Sequence, residues 1–413
     1  MDFEFSETSK AVQSRLRDFM AQHVAPRDPE WHDLVERQGI FPPPFIEDLK
    51  AKARAAGLWN LFLPHLKDDE PGTRLSNLDY APCAEIMGRY LWSSEVFNCN
   101  APDTGNMEVL HMFGTPEQKR QWLAPLLNGE IRSAFAMTEP DVASSDATNI
   151  RTTIQRDGDH YVIDGRKWFI TNAADPRCKI LIVLGLSNPE RTESHRRHSM
   201  VLVPMDTPGV EVVRNPTIMH HLAHEGHCEM RFTGVRVPVA NLVHEEGEGF
   251  AIAQARLGPG RIHHCMRSIG QCELALELMV ERAGSRKTFG HLLQDHGTVA
   301  EWIALSRLEI EQARLLVLKT AWLIDKYGTK AARKEVGLIK VVVPRMQTAI
   351  CNRAIQTFGA AGLTPDTPLA FLWTWGRALQ IIDGPDEVHL RTIARLEAKE
   401  QAARRPPVSQ PTA

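Results

Sequence analysis

Residues 133–243 differ from the rest of the chain in the spacing of their apolar side chains. On both sides of Asp157-Gly158-Asp159 the apolar residues alternate with polar ones, a pattern typical of antiparallel hairpins joined by tight turns. Short apolar runs follow at residues 180–183 and 200–203, separated by proline and glycine. Before and after this region, apolar residues repeat at helical spacing. The sequence therefore predicts an α+β protein in which a middle β-domain lies between two helical domains.

The predicted domain boundaries follow these changes of pattern. We expect an N-terminal helical domain at residues 1–131, a middle antiparallel β-domain at 132–243, a C-terminal helical bundle at 244–402 and a disordered tail at 403–413. Ser6 and Thr115 are placed as caps of helices in the first domain. Between Val299 and Ile324 the apolar residues repeat at coiled-coil spacing, which predicts a long bundle helix.

Composition excludes several classes of protein. A chain of 413 residues with 43% hydrophobic content can bury a large core in two or three domains. The net charge of −3 argues against nucleic acid and anionic membranes as partners, and the sequence shows neither a membrane-spanning run nor a secretory signal. The seven cysteines are odd in number and lack C-x-x-C spacing, which argues against disulfides and a cysteine zinc site. We expect a soluble, cytoplasmic protein with reduced thiols.

A histidine cluster is the one candidate for metal binding. It comprises His220, His221, His224 and His227. Gly226 disfavours a helix here, and no aspartate or cysteine completes a regular ligand spacing. We therefore predict no metal site.

Polar and aromatic residues gather at the predicted edges of the β-domain. The stretch FAMTEPDVASSDATN at residues 135–149 offers hydroxyls and main-chain N–H groups, and KWFITN at 167–172 adds flat aromatic faces. This mixture suits a conjugated ring that carries a polar chain, although solvated hydroxyls and core aromatics are the common alternative. In type and order, these motifs closely resemble the flavin-binding strands of the acyl-CoA dehydrogenase family, and the resemblance runs from about residue 5 to about residue 400.

The resemblance implies a fold and an activity. The fold would be the family's N-terminal helical domain, middle β-domain and C-terminal four-helix bundle. The activity would be FAD-dependent α,β-dehydrogenation of an acyl-CoA to the trans-2-enoyl-CoA in fatty-acid oxidation, with electron-transfer flavoprotein as electron acceptor, in a homodimer or homotetramer. Residues 100–106 and 383–389 resemble the branch that in animals is fused to a kinase-like domain, so a branched, long or 4-substituted acyl chain stays open.

The cofactor residues come from the resemblance, motif by motif. Those of the β-domain are Phe135, Met137, Thr138, Ser144, Phe169 and Thr171. Those of the C-terminal domain are Arg286, Thr288 and Phe289, which resemble an element that reaches the FAD diphosphate of a neighbouring subunit, together with Gln356, Gly359, Ala360, Pro385 and Glu387. The cofactor motifs of this chain depart from the family pattern in four places: the loop after Glu139 is one residue longer, Phe169 replaces a tryptophan, Gly297 replaces a glutamine, and Ala360 replaces a glycine.

Asp383 is the predicted catalytic base. It follows the apolar run 378–382 and precedes Gly384-Pro385, so we expect burial to raise its pKa towards working pH, although Asp-Gly-Pro is commonly a helix-ending turn. The resemblance aligns it with the family's catalytic glutamate, which is one methylene longer. Some members carry the base next to an arginine that resembles Arg261, but here that neighbour is Gly260. The implied substrate-binding residues are Ser145, Gly258, Arg261 and Gly384.

Two other functions stay open. The aspartate at position 383 keeps a flavin oxidase of the same fold in view, resembling acyl-CoA oxidases or nitroalkane oxidase. The changes at Gly297 and Ala360 would weaken FAD binding, so a non-catalytic binding or assembly protein is the third possibility.

Overall fold

The computed structural model describes residues 4–404. Its N-terminal part is helical, with seven helices whose bounds are α1 Glu7–Phe19, α2 Asp28–Trp31, α3 Ile46–Ala55, α4 Asn77–Gly88, α5 Asp103–Phe113, α6 Pro116–Gln118 and α7 Ala124–Leu127. Both predicted caps are confirmed: the Ser6 side chain accepts a hydrogen bond from the Ser9 N–H, and Thr115 forms a reciprocal capping box with Gln118.

The middle part is a seven-stranded sheet. Its strands are β1 Arg132–Ala136, β2 Thr153–Asp157, β3 His160–Thr171, β4 Cys178–Leu186, β5 His198–Pro204, β6 Val210–Arg214 and β7 His227–Pro238. The spatial order is β1-β4-β2-β3-β7-β6, with β5 also paired to β4. The hairpin predicted around Gly158 is confirmed, since Asp157 pairs with His160 across the β2–β3 turn.

The sheet is mixed rather than purely antiparallel, which corrects the prediction for one edge. β1 pairs with β4 in parallel, and β2 meets β4 in parallel at Thr153–Leu186, whereas the other pairs are antiparallel. A parallel pair needs a long crossover. Here the chain leaves β1 through residues 137–152 and makes the β2–β3 hairpin before it returns as β4. The loop with the TEPDVASSD motif therefore lies at the carboxyl end of β1.

The C-terminal part is a helical bundle. Its elements are α8 Gly249–Ser285, β8 Lys287–Thr288, β9 His291–Leu292, α9 Gly297–Tyr327, α10 Arg333–Phe358, α11 Leu369–Leu379 and α12 Asp386–Arg404. The predicted long helix is confirmed as α9, whose inward positions Ile310, Ala313, Val317 and Ala321 are buried. Helix α12 includes residues 403 and 404, which corrects the predicted start of the tail, and residues 405–413 of that predicted tail lie outside the described residues.

The three parts pack closely. A Cβ at Gly270 of α8 would come within 2.0 Å of the Glu85 carbonyl oxygen on α4, and one at Gly88 would overlap the Arg267 backbone, so these glycines let the two helices touch. Along β4, Ile180, Ile182 and Leu184 belong to the core shared with the helices, while the residues between them belong to the core on the other face of the sheet.

A buried ionic network fixes the sheet on α5. Arg132 at the start of β1 pairs with Asp103 and, at 2.7 Å, with Glu95. Asp103 Oδ1 accepts hydrogen bonds from the N–H and hydroxyl of Ser133, and its Oδ2 accepts one from the Asn172 amide at the end of β3. The residues just before the first motif and the last residue of the second motif are therefore anchored to the same carboxylate.

Other sequence expectations concern thiols and membranes. All seven cysteines are free and buried, as predicted. Over residues 4–404, none of the helices combines the length and apolar character that a membrane crossing requires.

Candidate active site

Asp383 lies in the short loop between α11 and α12. Its backbone adopts a left-handed conformation with φ +57°, and Gly384 follows at φ +103°. A Cβ at Gly384 would come within 3.0 Å of His389 Nε2, so both the backbone conformation and the space favour glycine there. The buried Lys340 of α10 donates to the carbonyl oxygens of Leu379 (2.6 Å) and Ile382 (2.8 Å). Lys340 thus holds the loop that presents Asp383.

The side chain of Asp383 faces helix α8. Its Oδ2 lies 3.5 Å from His264 Nε2 and would lie 3.4 Å from a Cβ at Gly260, while Arg261 Nε donates to its main-chain oxygen at 2.9 Å. The carboxylate therefore lies beside position 260, the second base position named by the family resemblance. Glycine at 260 leaves the space for it.

The pKa of Asp383 differs from the sequence expectation. Burial raises it, but His264, Arg256, Lys340 and Arg261 outweigh burial and hold the pKa below its ordinary value of 3.8. The expected raised pKa is therefore wrong for the free protein. The apolar run before Asp383 indicated its partial burial correctly, whereas His264 and the three cations come from α8 and α10, which are distant in sequence. At neutral pH Asp383 is a carboxylate and can accept a proton.

The two β-domain motifs are joined by hydrogen bonds between Thr138 and Trp168. The Thr138 hydroxyl donates to the Trp168 carbonyl at 2.5 Å, and the Trp168 N–H donates to the Thr138 carbonyl at 3.0 Å. Phe169 has a left-handed backbone with φ +53°, and its side chain is 46% exposed. The Thr171 hydroxyl is hydrogen-bonded to His227 Nδ1 at 3.0 Å. A flat aromatic face and oriented hydroxyls are therefore displayed together at one edge of the sheet.

The longer loop after Glu139 uses one of its serines internally. Ser144 Oγ accepts a hydrogen bond from the Glu139 N–H at 2.8 Å and donates to the Glu139 carbonyl at 3.2 Å. The next residue, Ser145, is exposed. Of the two serines, Ser145 is therefore the freer to contact a ligand.

A buried ion pair that sequence analysis missed supports this edge. Lys167 is fully buried, and its Nζ donates to the carbonyls of Met137 (2.8 Å) and Leu184 (2.7 Å) and to Glu139 Oε1 (2.9 Å). Glu139 also accepts the N–H groups of residues 151 and 152. Lys167 and Glu139 both lie inside the two motifs. From sequence alone, a buried charged residue cannot be distinguished from an exposed one until its partner is known.

The remaining predicted cofactor residues form a second group at the far end of α8. Arg286 and Thr288 lie at and just after the end of α8, and the next residue, Phe289, is 92% exposed with φ +50°. The guanidinium of Arg282 lies 5.3 Å from the Phe358 ring, which brings the end of α10, with its Gln356, Gly359 and Ala360, to the same place. From Arg261 to Arg286 the helix rises about 37 Å, at 1.5 Å for each of 25 residues.

The structure therefore separates the predicted site residues into two groups within one chain. Pro385 and Glu387 lie at the start of α12, next in sequence to Asp383, whose main-chain oxygen accepts a hydrogen bond from Arg261 of α8. Gly258, also on α8, faces Thr329, because a Cβ there would lie 2.4 Å from the Thr329 methyl carbon.

Among the described residues, no three His, Cys, Asp or Glu side chains are arranged to hold a metal ion.

Arg256 and Glu108 are two further buried ionisable residues that sequence analysis missed. The guanidinium of Arg256 lies 4.0 Å from the Phe135 ring and donates from Nε to Asn106 Oδ1 at 3.0 Å. Glu108 is buried on α5, and within the described residues its Oε2 has no hydrogen-bond partner. Burial raises the pKa of Glu108 to about 8, with Arg256 opposing the shift. Glu108 is therefore largely protonated at neutral pH.

We expect Glu108→Gln to stabilise the protein at neutral and alkaline pH. The unfolded chain releases the Glu108 proton above pH 4.5 and the folded chain only near pH 8, so wild-type stability falls as pH rises through this window. At pH 7 the difference corresponds to about 3 kcal/mol. Denaturant unfolding at several pH values should show that the free energy of unfolding of the variant increases relative to that of wild type between pH 5 and 8. The exposed Glu281→Gln is the control, and equal pH dependence of variant and wild type would contradict the prediction.

Comparison with known proteins identifies the class that this fold and site define. The family models for the N-terminal, middle and C-terminal domains of acyl-CoA dehydrogenases match residues 6–130, 134–235 and 247–397. The chain belongs to the acyl-CoA dehydrogenase family. It is therefore an enzyme of a family of flavoprotein oxidoreductases that use FAD and act in fatty-acid metabolism.

Individual relatives support the same assignment. The chain is 56% identical over 404 residues to "Probable acyl-CoA dehydrogenase FadE2" of Mycobacterium tuberculosis, covering 96% of this chain and 97% of that protein. It is 52% identical over 407 residues to acyl-CoA dehydrogenase family member 11 of Gallus gallus, covering 97% of this chain but 52% of that protein, so it spans about half the length of this animal relative. The structure of butyryl-CoA dehydrogenase from Megasphaera elsdenii superposes with a TM-score of 0.82 at 26% identity, covering 96% of this chain and 100% of that one.

Proposed function

We propose that this protein is an FAD-dependent acyl-CoA dehydrogenase in which Asp383 removes the α-proton of an acyl-CoA thioester. The observation that carries the proposal is a largely buried, ionised aspartate, with a side chain 16% exposed, beside Gly260 of α8 in a loop held by Arg261 and Lys340. A carboxylate in that state is a competent proton acceptor without prior deprotonation. Position 383 also matches the family's base in sequence order.

Asp383 and Arg261 have different roles in the proposed reaction. The Asp383 carboxylate accepts the α-proton, and its main-chain N–H binds the thioester oxygen, while Arg261 fixes the orientation of this peptide through its carbonyl. Bound FAD supplies the acceptor for the β-hydrogen, which leaves as hydride while the α,β double bond forms. The product is the trans-2-enoyl-CoA, and electron-transfer flavoprotein is the proposed acceptor of the two electrons.

The residues present fit a flavin. Phe169 exposes an aromatic face beside the hydroxyls of Thr138 and Thr171, which suits a ring with polar edges. Phe169 combines an exposed ring with a left-handed backbone, and strained residues of this kind cluster at ligand-binding sites. Lys167 and Glu139 hold the segment that carries Met137 and Thr138 in place.

The separation of the two residue groups supports a site built from two chains. Arg286 lies about 37 Å along α8 from Arg261, whereas a five-carbon ribityl chain joins the flavin ring to the diphosphate. If the flavin ring lies near both Phe169 and Asp383, the diphosphate of the same FAD cannot reach Arg286 of the same chain. The proposed assembly is therefore a homodimer or homotetramer in which Arg286, Thr288 and Phe289 reach a neighbour's cofactor.

Anaerobic titration with acyl-CoA thioesters of different chain lengths tests the proposal. Purified protein should carry about one FAD per chain, and its flavin absorbance should bleach with a suitable acyl-CoA. The use of aspartate instead of glutamate as base favours the oxidase as second candidate, and stoichiometric peroxide during turnover in air would support it. Protein that is colourless and takes up no added FAD would instead support the non-catalytic alternative.

A further inference from the structure

Three residues on one face of α8 form a row that leads to Asp383. Gly260, His264 and Arg267 are spaced i, i+4 and i+7, which places them on the same side of a helix. Gly260 and His264 both face Asp383 Oδ2, at 3.4 Å from an ideal Cβ and 3.5 Å from Nε2 respectively. Arg267 Nη2 lies 3.2 Å from the other nitrogen of His264, Nδ1.

The contact with Arg267 determines which nitrogen of His264 carries the proton. A guanidinium has donors and no acceptor, so Nδ1 must accept the hydrogen bond from Arg267. Nε2 then carries the hydrogen, and this nitrogen faces Asp383 Oδ2. The ring stays neutral, because burial and the charge of Arg267 lower the pKa of His264 to about 3. His264 is therefore a fixed donor, with no free nitrogen to accept a proton.

We propose that His264, held in this tautomer by Arg267, is a positioning residue that donates from Nε2 to Asp383 Oδ2 and so directs Oδ1 towards the substrate α-carbon. The inference rests on the proposed role of Asp383 as base. An aspartate is one carbon shorter than the glutamate usual in the family, so its carboxylate has less reach and its orientation matters more. Glycine at 260 and a donor at 264 provide both space and orientation from a rigid helix.

The neighbouring charged groups act on Asp383 differently from His264. Arg261 Nε and Lys340 Nζ donate to main-chain carbonyls of the loop, whereas His264 faces a carboxylate oxygen. The titratable and charged groups that interact electrostatically with Asp383 or His264 lie on α8, α10 and α12, and they are Arg256, Arg261, His263, Cys265, Arg267, Lys340 and His389. All of them stay in place in the variants below that alter His264.

The decisive experiment compares His264→Phe with His264→Gln. Phenylalanine keeps the ring volume but removes the donor, whereas glutamine keeps an N–H donor at a similar distance. Loss of the donor disfavours the charged carboxylate, so the pKa of Asp383 should rise and the acid limb of the rate of anaerobic flavin reduction should move to higher pH, by about one unit. The plateau rate should fall roughly tenfold or more, as expected for a lost hydrogen bond to a charged group. His264→Gln should restore both.

Infrared titration of the Asp383 carboxyl band provides a second readout that does not depend on turnover. The band is assigned by its absence in Asp383→Asn. The pH at the midpoint of its titration should be higher in His264→Phe than in wild type. Arg267→Met, which removes the hydrogen bond that fixes the tautomer while keeping the imidazole of His264, should shift the midpoint in the same direction and replaces His264→Phe if that variant does not fold. An unshifted band and pH profile, or a glutamine variant that behaves like phenylalanine, would overturn the inference. Full activity of Asp383→Asn would instead defeat the proposed function.

Discussion

Replacement of Asp383 by asparagine should abolish bleaching of the flavin by acyl-CoA while the FAD content stays unchanged. The amide has nearly the same shape as the carboxylate but cannot accept the α-proton. Loss of a general base typically costs about 10²- to 10⁴-fold in rate, and here the cost should lie at the upper end because His264, which faces the Asp383 carboxylate, has no nitrogen free to accept a proton. Stopped-flow absorbance under anaerobic conditions measures the effect.

The matched control is Asp366→Asn, an identical substitution at an exposed loop position. It should bleach at the wild-type rate. Retention of FAD by Asp383→Asn is expected because Thr138 and Thr171 are held in place by Trp168 and His227 and not by Asp383. A variant that still bleaches at a rate close to that of wild type would remove Asp383 from the mechanism.

Features that depend on local pattern were predictable from the sequence. The β2–β3 hairpin follows from alternation around Gly158, and α9 from its coiled-coil spacing, because each pattern reflects one buried face. The β1–β4 parallel pair was not predictable in this way, since it depends on where the chain returns after residues 137–152 and not on any local period.

The sequence supports a proposal for the residues of the site but not for its electrostatics. Asp383 was proposed because an acid follows an apolar run there and because the family resemblance aligns it with the base. The sign of its pKa shift was wrong, because Arg256, His264 and Lys340 resemble ordinary helix residues until the helices pack. Lys167 was missed for the same reason, although it lies within the quoted motif. A buried charged residue can be predicted only when its partners are known, and partners that are distant in sequence can be found only once the fold is known.

The way in which the site is divided between chains gives the second large prediction, which concerns Arg286. Arg286→Ala should weaken FAD binding by roughly 10- to 100-fold, the size expected when charge-assisted hydrogen bonds to a phosphate are lost. Its position about 37 Å along α8 from Arg261 means that the affected cofactor belongs to the neighbouring chain. FAD affinity should therefore also fall when wild-type protein is diluted below its assembly concentration, because a ligand that binds across an interface links the two equilibria.

Lys287→Ala is the matched control for this prediction, since it removes an adjacent exposed cation from the same segment. It should leave FAD affinity close to wild type, because the family element places phosphate contact at the arginine and not at the next residue. Fluorescence titration of apoprotein with FAD gives the affinities, and light scattering at the same concentrations gives the mass. A monomer that retains full FAD affinity would contradict the two-chain site, because Arg286 would then have no cofactor within reach.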